Sequence, residues 1–377
     1  MTTPVPIIDS HIHLFPASEL DTLAWADPSS PLYKQHSLAE YRAAINPCHD
    51  LVSGFIFLET DRKAEALSSA STPDEEEEAW RHALQEVSWL ARIASGRPRD
   101  GEGHEAKDKD LCLGIVPWAP IPSGADVLAR YIDAVKETCI RDGGGEGGEG
   151  EAVWAKVKGF RYLLQDKPAR TMLEPGFIDA LKLLGRRGLV FDVGVDLHRR
   201  GRAQLEEVVE MVDRAHEGVP EGEKVTFILN HLCKPDLTTL HPSDPAFIAW
   251  RTAMFTLSKA DNVYMKLSGA FSEMSPALRQ QPANDIFESI MGWLAVVVAA
   301  FGPGRIMFGS DWPVCTVGVD ADSGDEKKEE SEGEQQGEEG AWEKWRKVVD
   351  RLCWMSSMSD EQKKEVFAGT ARRAYGI

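Results

Sequence analysis

Phe55-Ile56-Phe57-Leu58, inside the stretch Ser53 to Thr60, is apolar on four consecutive residues and ends in Glu59. A strand with one solvated face alternates apolar and polar side chains, whereas a continuous apolar run signals a strand covered on both faces, as in a parallel sheet. Val225 to Leu229 reads the same way. Working outward, short β-branched or apolar runs at Pro6 to Ser10, Leu111 to Trp118, Lys156 to Leu163, Leu189 to Val195, Val225 to Asn230, Val263 to Leu267 and Arg305 to Gly309 bring the candidate strands to eight. Amphipathic stretches separate them: Glu78 to Ala94, Ala125 to Cys139, Gly176 to Arg187, Ala203 to Ala215, Pro245 to Lys259 and Asn284 to Phe301, with Ala341 to Met355 and Asp360 to Tyr375 closing the chain. This alternation predicts an α/β fold, a single (β/α)8 TIM-like barrel occupying residues 1–377. A doubly wound open sheet is the rival, but no G-x-G-x-x-G or P-loop motif follows any candidate strand.

The 377 residues include 61 Asp and Glu against 42 Lys and Arg, a formal net charge of −19. A surplus of carboxylates argues against nucleic-acid partners and against adhesion to an anionic membrane. The acidity is local: Asp74 to Glu78 contributes −5, Asp142 to Glu151 −4 and Asp320 to Gly340 −8, leaving the remaining chain near −2. Insertions are expected at about 95–110, 142–151 and 318–340, and the Gly-, Glu- and Ser-rich composition of the last two predicts mobile loops. The third leaves the eighth strand shortly after Asp311 and is expected to act as a flap. Ile290 to Phe301 is too short to span a bilayer and reads as a buried helix. Six scattered cysteines without a C-x-x-C pair, and a start at Met1 to Pro6 that lacks a basic residue, suggest a cytoplasmic protein. The oligomeric state is left open.

Chemistry concentrates at the ends of the candidate strands. In Asp9-Ser10-His11-Ile12-His13 the two histidines are two residues apart, so they present imidazoles on one face of a strand; the competing reading is a polar loop start. Ile306-Met307-Phe308-Gly309-Ser310-Asp311-Trp312-Pro313 delivers a carboxylate at a strand's carboxyl end, where barrels keep catalytic residues. Strand eight closes beside strand one, which brings Asp311 near the histidines. His231 ends strand six, followed by Lys234, either a carbonyl polariser or a partner of a loop acid. Arg161 on an apolar strand is costly to bury unpaired, which favours the barrel mouth or an ion-paired interior position; Lys266 is similarly placed, with structural pairing as its other reading. Glu59 is either a metal ligand or an ion-pair partner of Arg62 or Lys63; His198 is either a ligand or the start of a solvated helix. Trp312 and Trp118 either wall the pocket or pack in the core. Neutral imidazoles with carboxylates suit a divalent ion such as Zn2+, so His11, His13, Glu59, His198 and Asp311 form the candidate metal set.

Five blocks together, Ile8 to His13, Val157 to Gln165, Leu229 to Pro235, Tyr264 to Gly269 and Met307 to Pro313, resemble the amidohydrolase superfamily, in the amidohydrolase-2 branch that includes sugar-acid lactonases. The strand-four, -six and -seven blocks look most like the L-rhamnono- and L-fuconolactonase group. The resemblance implies metal or substrate contacts for His11 and His13, a base role for Asp311, contact with the reacting group for His231 and substrate binding for Arg161. Metal-activated members often carry lysine or glutamate on strand four, where Arg161 stands here. Some lactonases of this branch work without metal, so both routes stand as expectations.

Hydrolysis of an aldonolactone such as L-rhamnono-1,4-lactone is therefore expected, by metal-activated water with Asp311 as base, within rhamnose catabolism. Arg161, Lys234 and Trp312 would contact this small neutral substrate, and a nearly neutral barrel needs no charge steering toward it. The alternatives are decarboxylation of a small unsaturated or aromatic acid at the same site, and an inactive barrel binding a basic partner through its acidic loops.

Overall fold

The computed structural model describes residues 5–68, 71–145, 148–238, 241–320 and 339–377. β1 (Ile7–Ile12) lies parallel to β2 (Val52–Leu58), and β2 to β3 (Cys112–Val116). A second parallel sheet runs in order through β4 (Gly159–Leu163), β5 (Val190–Gly194), β6 (Phe227–Leu229), β7 (Val263–Leu267) and β8 (Ile306–Phe308). Parallel bridges Ile115–Val157 and Trp118–Arg161 join β3 to β4, and Ile12–Trp312 joins β1 to the chain leaving β8. The eight strands thus follow one another around one ring, all eight where the apolar runs predict them.

Helices lie outside the ring: α1 (Leu38–Ala44), α2 (Pro73–Ser95), α3 (Ala125–Asp142), α4 (Glu149–Trp154), α5 (Pro175–Arg186), α6 (Leu197–Arg200), α7 (Arg202–His216), α8 (Pro245–Leu257), α9 (Pro276–Arg279), α10 (Ala283–Phe301) and α11 (Ala341–Met355). A terminal pair, α12 (Asp360–Lys364) and α13 (Thr370–Tyr375), is joined by a π turn. Ala371, Ala374 and Tyr375 of α13 pack with Ile8, Ile56, Val190 and Met307 inside the ring, so the last helix plugs the end opposite the strands' carboxyl ends.

The structure alters three readings of the acidic and polar segments. Asp74, Glu75 and Glu76 form the first turn of α2 behind a Thr72–Glu75 capping box and Pro73, where negative side chains meet the positive end of the helix dipole. The Gly-rich stretch at 142–151 is not all loop, because α3 runs through Asp142 and α4 starts at Glu149. Residues 95–110 are tied to the barrel: Glu102 is buried and paired with Arg92 at 2.5 Å, and Asp108 is buried and paired with Arg42. Of the expected flap at 318–340, positions 321–338 lie outside the described residues.

The apolar run at Ile290 belongs to the 19-residue α10, the one helix among the described residues long and apolar enough to cross a membrane. Its inner face, with Ile286, Ile290, Leu294 and Val297, is buried, and Trp293 packs edge-on against Phe247 and Trp250 at 4.7 and 4.8 Å. The six cysteines are free and buried.

Two charges sit inside the ring. Lys266 Nζ on β7 donates to Asp192 Oδ1 on β5 at 2.7 Å, and Tyr375 OH donates to Asp192 Oδ2 at 2.7 Å; Lys266 and Asp192 are both fully buried. Burial pulls the Lys266 ammonium down to about 8, against the opposing pull of Asp192. Removing one partner of a buried pair strands the other charge in a low-dielectric interior. Lys266→Met is expected to cost about 3–5 kcal/mol in chemical denaturation, with Lys266→Met/Asp192→Leu recovering part of the loss; a double variant less stable than the single one would contradict this pairing.

Candidate active site

The first strand aims its side chains through a slip in register. Asp9 pairs with Phe55 but Ile12 pairs with Phe57, three steps on β1 against two on β2, so one extra residue is accommodated. Asp9 then faces the outer helices, where it accepts from Tyr41 OH at 3.1 Å and Trp342 Nε1 at 2.8 Å, while His11 and His13 face inward. Strict alternation would have put Asp9 on the histidines' side.

The two imidazoles meet with Nε2 atoms 3.2 Å apart. His13 Nδ1 lies 3.0 Å from the carbonyl oxygens of Leu58 and Glu59, which only accept, so Nδ1 carries the proton and Nε2 presents a lone pair. His11 is the converse: Lys266 Nζ donates to its Nδ1 at 3.3 Å, which leaves the proton on Nε2. Asp311 Oδ1 lies 3.5 Å from His11 Nε2, 3.4 Å from His13 Nε2 and 3.8 Å from His231 Nε2. Its backbone N–H donates to the carbonyl of His11 at 2.8 Å, and its φ of 63° is a left-handed value that an aspartate holds only when its surroundings impose it.

His231 opens a run of four left-handed residues, His231 to Lys234, with φ between 47° and 61°. Ser268 Oγ meets its Nδ1 at 2.9 Å, and a Cβ on Gly269 would sit 2.2 Å from that nitrogen, so the glycine after β7 makes room for the ring. A cavity of about 270 Å³ opens above the cluster, lined among others by His13, Glu59, Asp61, Arg161, His231 and Asp311.

Residues 104–377 match the amidohydrolase family, most of the chain. The chain belongs to that family. Over 386 residues this amidohydrolase is 29% identical to L-rhamnono-gamma-lactonase of Scheffersomyces stipitis, covering 98% of each protein. Over 227 residues it is 29% identical to L-fucono-1,5-lactonase of Burkholderia multivorans, covering 59% of this chain and 64% of the other. The fold matches that of a Burkholderia multivorans amidohydrolase solved with bound zinc, at a TM-score of 0.62 and 22% identity over 99% of each chain.

Within this amidohydrolase the site's charges are sorted by burial. Burial drives His231 down to about 3, with Asp311 opposing and Lys234 and Arg161 assisting. His11 lies well below the ordinary imidazole range through burial and the nearby Lys266 charge. Burial alone would raise Asp311, yet His231 and His13 hold its carboxyl below the usual carboxylate value. A carboxylate therefore stands beside two neutral imidazoles at neutral pH, the protonation states that suit a base and metal donors alike.

The remaining candidates divide. Arg161 and Glu59 line the cavity, with Arg161 Nη1 3.5 Å from Glu59 Oε1; Lys234 lines it too and donates to Gln165 Oε1 at 2.8 Å. His198 stands outside the histidine–aspartate cluster, paired with Glu273 at 2.9 Å and Asp236 at 3.6 Å. Trp312 does not line the cavity: its ring packs edge-on against His36 and Tyr41 at 5.4 Å from each. Trp118 is likewise a packing residue, against Tyr131 and Tyr162. The sequence reading gave no role to Asp9, Ser268 or Gly269, although Asp9 sits in the quoted block Ile8 to His13 and the other two in Tyr264 to Gly269; it also missed Asp61, two residues beyond Glu59.

Gly269→Ala is expected to push His231 away from Asp311 while the barrel stays folded, with about 1–2 kcal/mol lost to the positive φ of 61°. A crystal structure of the variant with His231 unmoved would contradict this account.

Proposed function

We propose that this amidohydrolase hydrolyses a neutral aldonolactone, L-rhamnono-1,4-lactone being the first candidate. One observation carries the reading: near full-length similarity to an L-rhamnono-gamma-lactonase, in a chain whose Asp311 carboxylate faces three imidazoles inside a sugar-sized cavity. Such an activity would serve breakdown of a deoxysugar such as rhamnose.

In this reading Asp311 accepts a proton from water as the water oxygen bonds to the lactone carbonyl carbon. Arg161, with Nε free of any hydrogen-bond partner in the protein, supplies donors for the developing oxyanion or for ring hydroxyls. When the tetrahedral intermediate collapses, Asp311 returns its proton to the leaving ring oxygen, so the hydroxyacid forms with no proton left on the enzyme. Lowered Asp311 and His231 values keep this arrangement in place through neutral pH.

The donor chemistry also fits a divalent ion. His11, His231 and Asp311 offer ligand atoms within 4.8 Å of one another, and His13 Nε2 and Asp311 Oδ1 are 3.4 Å apart, close to the edge of about 3.3 Å expected of tetrahedral ligands with bonds near 2.0 Å. His11, His231 and Asp311 would hold the ion, with His13 Nε2 beside them at 3.2 Å from His11 Nε2. When bound, a zinc ion supplies Lewis acidity toward the carbonyl and acidifies water. Glu59 engages Arg161 and Asp61, and His198 its own acid pair, so neither belongs to this donor set.

Asp311→Asn is expected to lower lactone hydrolysis by about 10²–10⁴-fold in a pH-indicator assay, and full activity in that variant would refute the base assignment. Elemental analysis of purified protein is expected to find one zinc per chain, and dialysis against a chelator to lower turnover until zinc is returned. Undiminished turnover in metal-free protein would leave the side chains alone to carry the reaction.

A further inference from the structure

Glu59, set against the Arg161 that serves hydrolysis, is placed for a task that the hydrolytic steps do not use. Both are buried, at 1% and 6% exposure, yet both line the cavity. Glu59 Oε2 accepts from the backbone N–H of Asp61 at 2.5 Å, which fixes the carboxylate, while Oε1 has no hydrogen-bond partner in the protein and faces Arg161 Nη1 at 3.5 Å. Arg161 Nε is unpartnered as well. Unpartnered buried polar atoms at a cavity wall are completed by a ligand or by water.

The charges around the cavity extend the argument. Asp61, Asp166 and Asp311 join Glu59 on the acidic side, against Arg161 and Lys234. Lys234 gives one of its three protons to Gln165, while the planar guanidinium of Arg161, with Nε unpartnered, presents the forked donors suited to grip a carboxylate, and Glu59 stands against it. On the aldonolactone reading, on which this inference rests, the substrate is neutral; ring opening forms the C–O bond from water, breaks the ring ester bond and leaves a carboxylate with one proton released to solvent above its pKa. Substrate and product therefore differ by one negative charge at the atom that has reacted.

We propose that Glu59 lets the cavity tell the neutral polyhydroxy lactone from its own carboxylate product: it engages Arg161, leaving the pair to bind ring hydroxyls, and repels the newly formed anion so that product leaves. The same device excludes carboxylate-bearing lactones from the site. A charge placed a few ångströms from another in a partly desolvated cavity changes binding by about tenfold or more.

The test compares wild type with Glu59→Gln, which keeps the side chain's shape and an acceptor oxygen but removes the charge. At pH 8, calorimetry with L-rhamnonate is expected to report binding about tenfold tighter in the variant, with correspondingly stronger product inhibition, while KM for L-rhamnono-1,4-lactone rises. A merely structural role would weaken both ligands together. Glu59→Gln/Arg161→Gln, which restores charge balance, is expected to lose the tightening and serves as the second comparison should the single variant fold poorly. Equal or weaker rhamnonate binding in Glu59→Gln, or tightening that survives in the double variant, overturns the proposal. A wild type that turns over no aldonolactone removes the lactonase reading instead, and rhamnonate binding still decides whether Glu59 repels anions.

Discussion

The site exists because of the seam between β8 and β1. Across it the buried Asp9 carboxylate accepts from the backbone N–H of Ser310 at 2.8 Å, Ser10 Oγ donates to the carbonyl of Phe308 at 2.6 Å, and His13 N–H donates to the carbonyl of Trp312 at 2.7 Å. These bonds join residues some 300 positions apart and set His11 and His13 against Asp311. Burial raises the Asp9 carboxyl, and the donors from Ser310, Trp342 and Tyr41 offset part of that cost. Because Tyr41 belongs to α1 and Trp342 to α11, the same carboxylate anchors two outer helices to the seam.

Backbone geometry at the mouth is unusual where the chemistry is. Asp311 and the run His231 to Lys234 occupy left-handed conformations that cost free energy in non-glycine residues, of order 1–2 kcal/mol each. The surroundings that hold them are visible: Asp311 N–H on the His11 carbonyl, and the Lys234 carbonyl accepting from His198 N–H at 2.9 Å. Trp250 Nε1 adds a bond to the carbonyl of Leu232 at 2.8 Å, so α8 braces the turn from below. Side chains held this way need little rearrangement during reaction, which is the physical basis of electrostatic preorganisation.

Arg161 and Lys266 show how a barrel interior deals with cations. Both come from strands that are otherwise apolar, and each is answered by an acid on another strand, Glu59 on the chain leaving β2 and Asp192 on β5. The Asp192–Lys266 pair is sealed by Tyr375 and reaches up to His11, so it sets that imidazole's proton from beneath. The Glu59–Arg161 pair opens to the cavity, where its unfilled bonds are free for substrate.

Residue order alone determined the eight strands, because a strand buried on both faces must be apolar residue after residue, and it determined that His11, His13, His231 and Asp311 stand at strand ends. It also exposed the acidic runs, but composition could not tell the loop at 142–151 from helix termini, nor see that Asp74 to Glu76 serve a helix dipole. Only the tertiary structure decided which partner each charge takes: that His198 turns to Glu273, that Trp312 packs against Tyr41, that Glu59 answers Arg161, and that an extra residue in β1 turns Asp9 outward. The reason is that strand alternation is a local property of the chain, whereas pairing and burial depend on distances across the closed ring, which no local pattern of residues records.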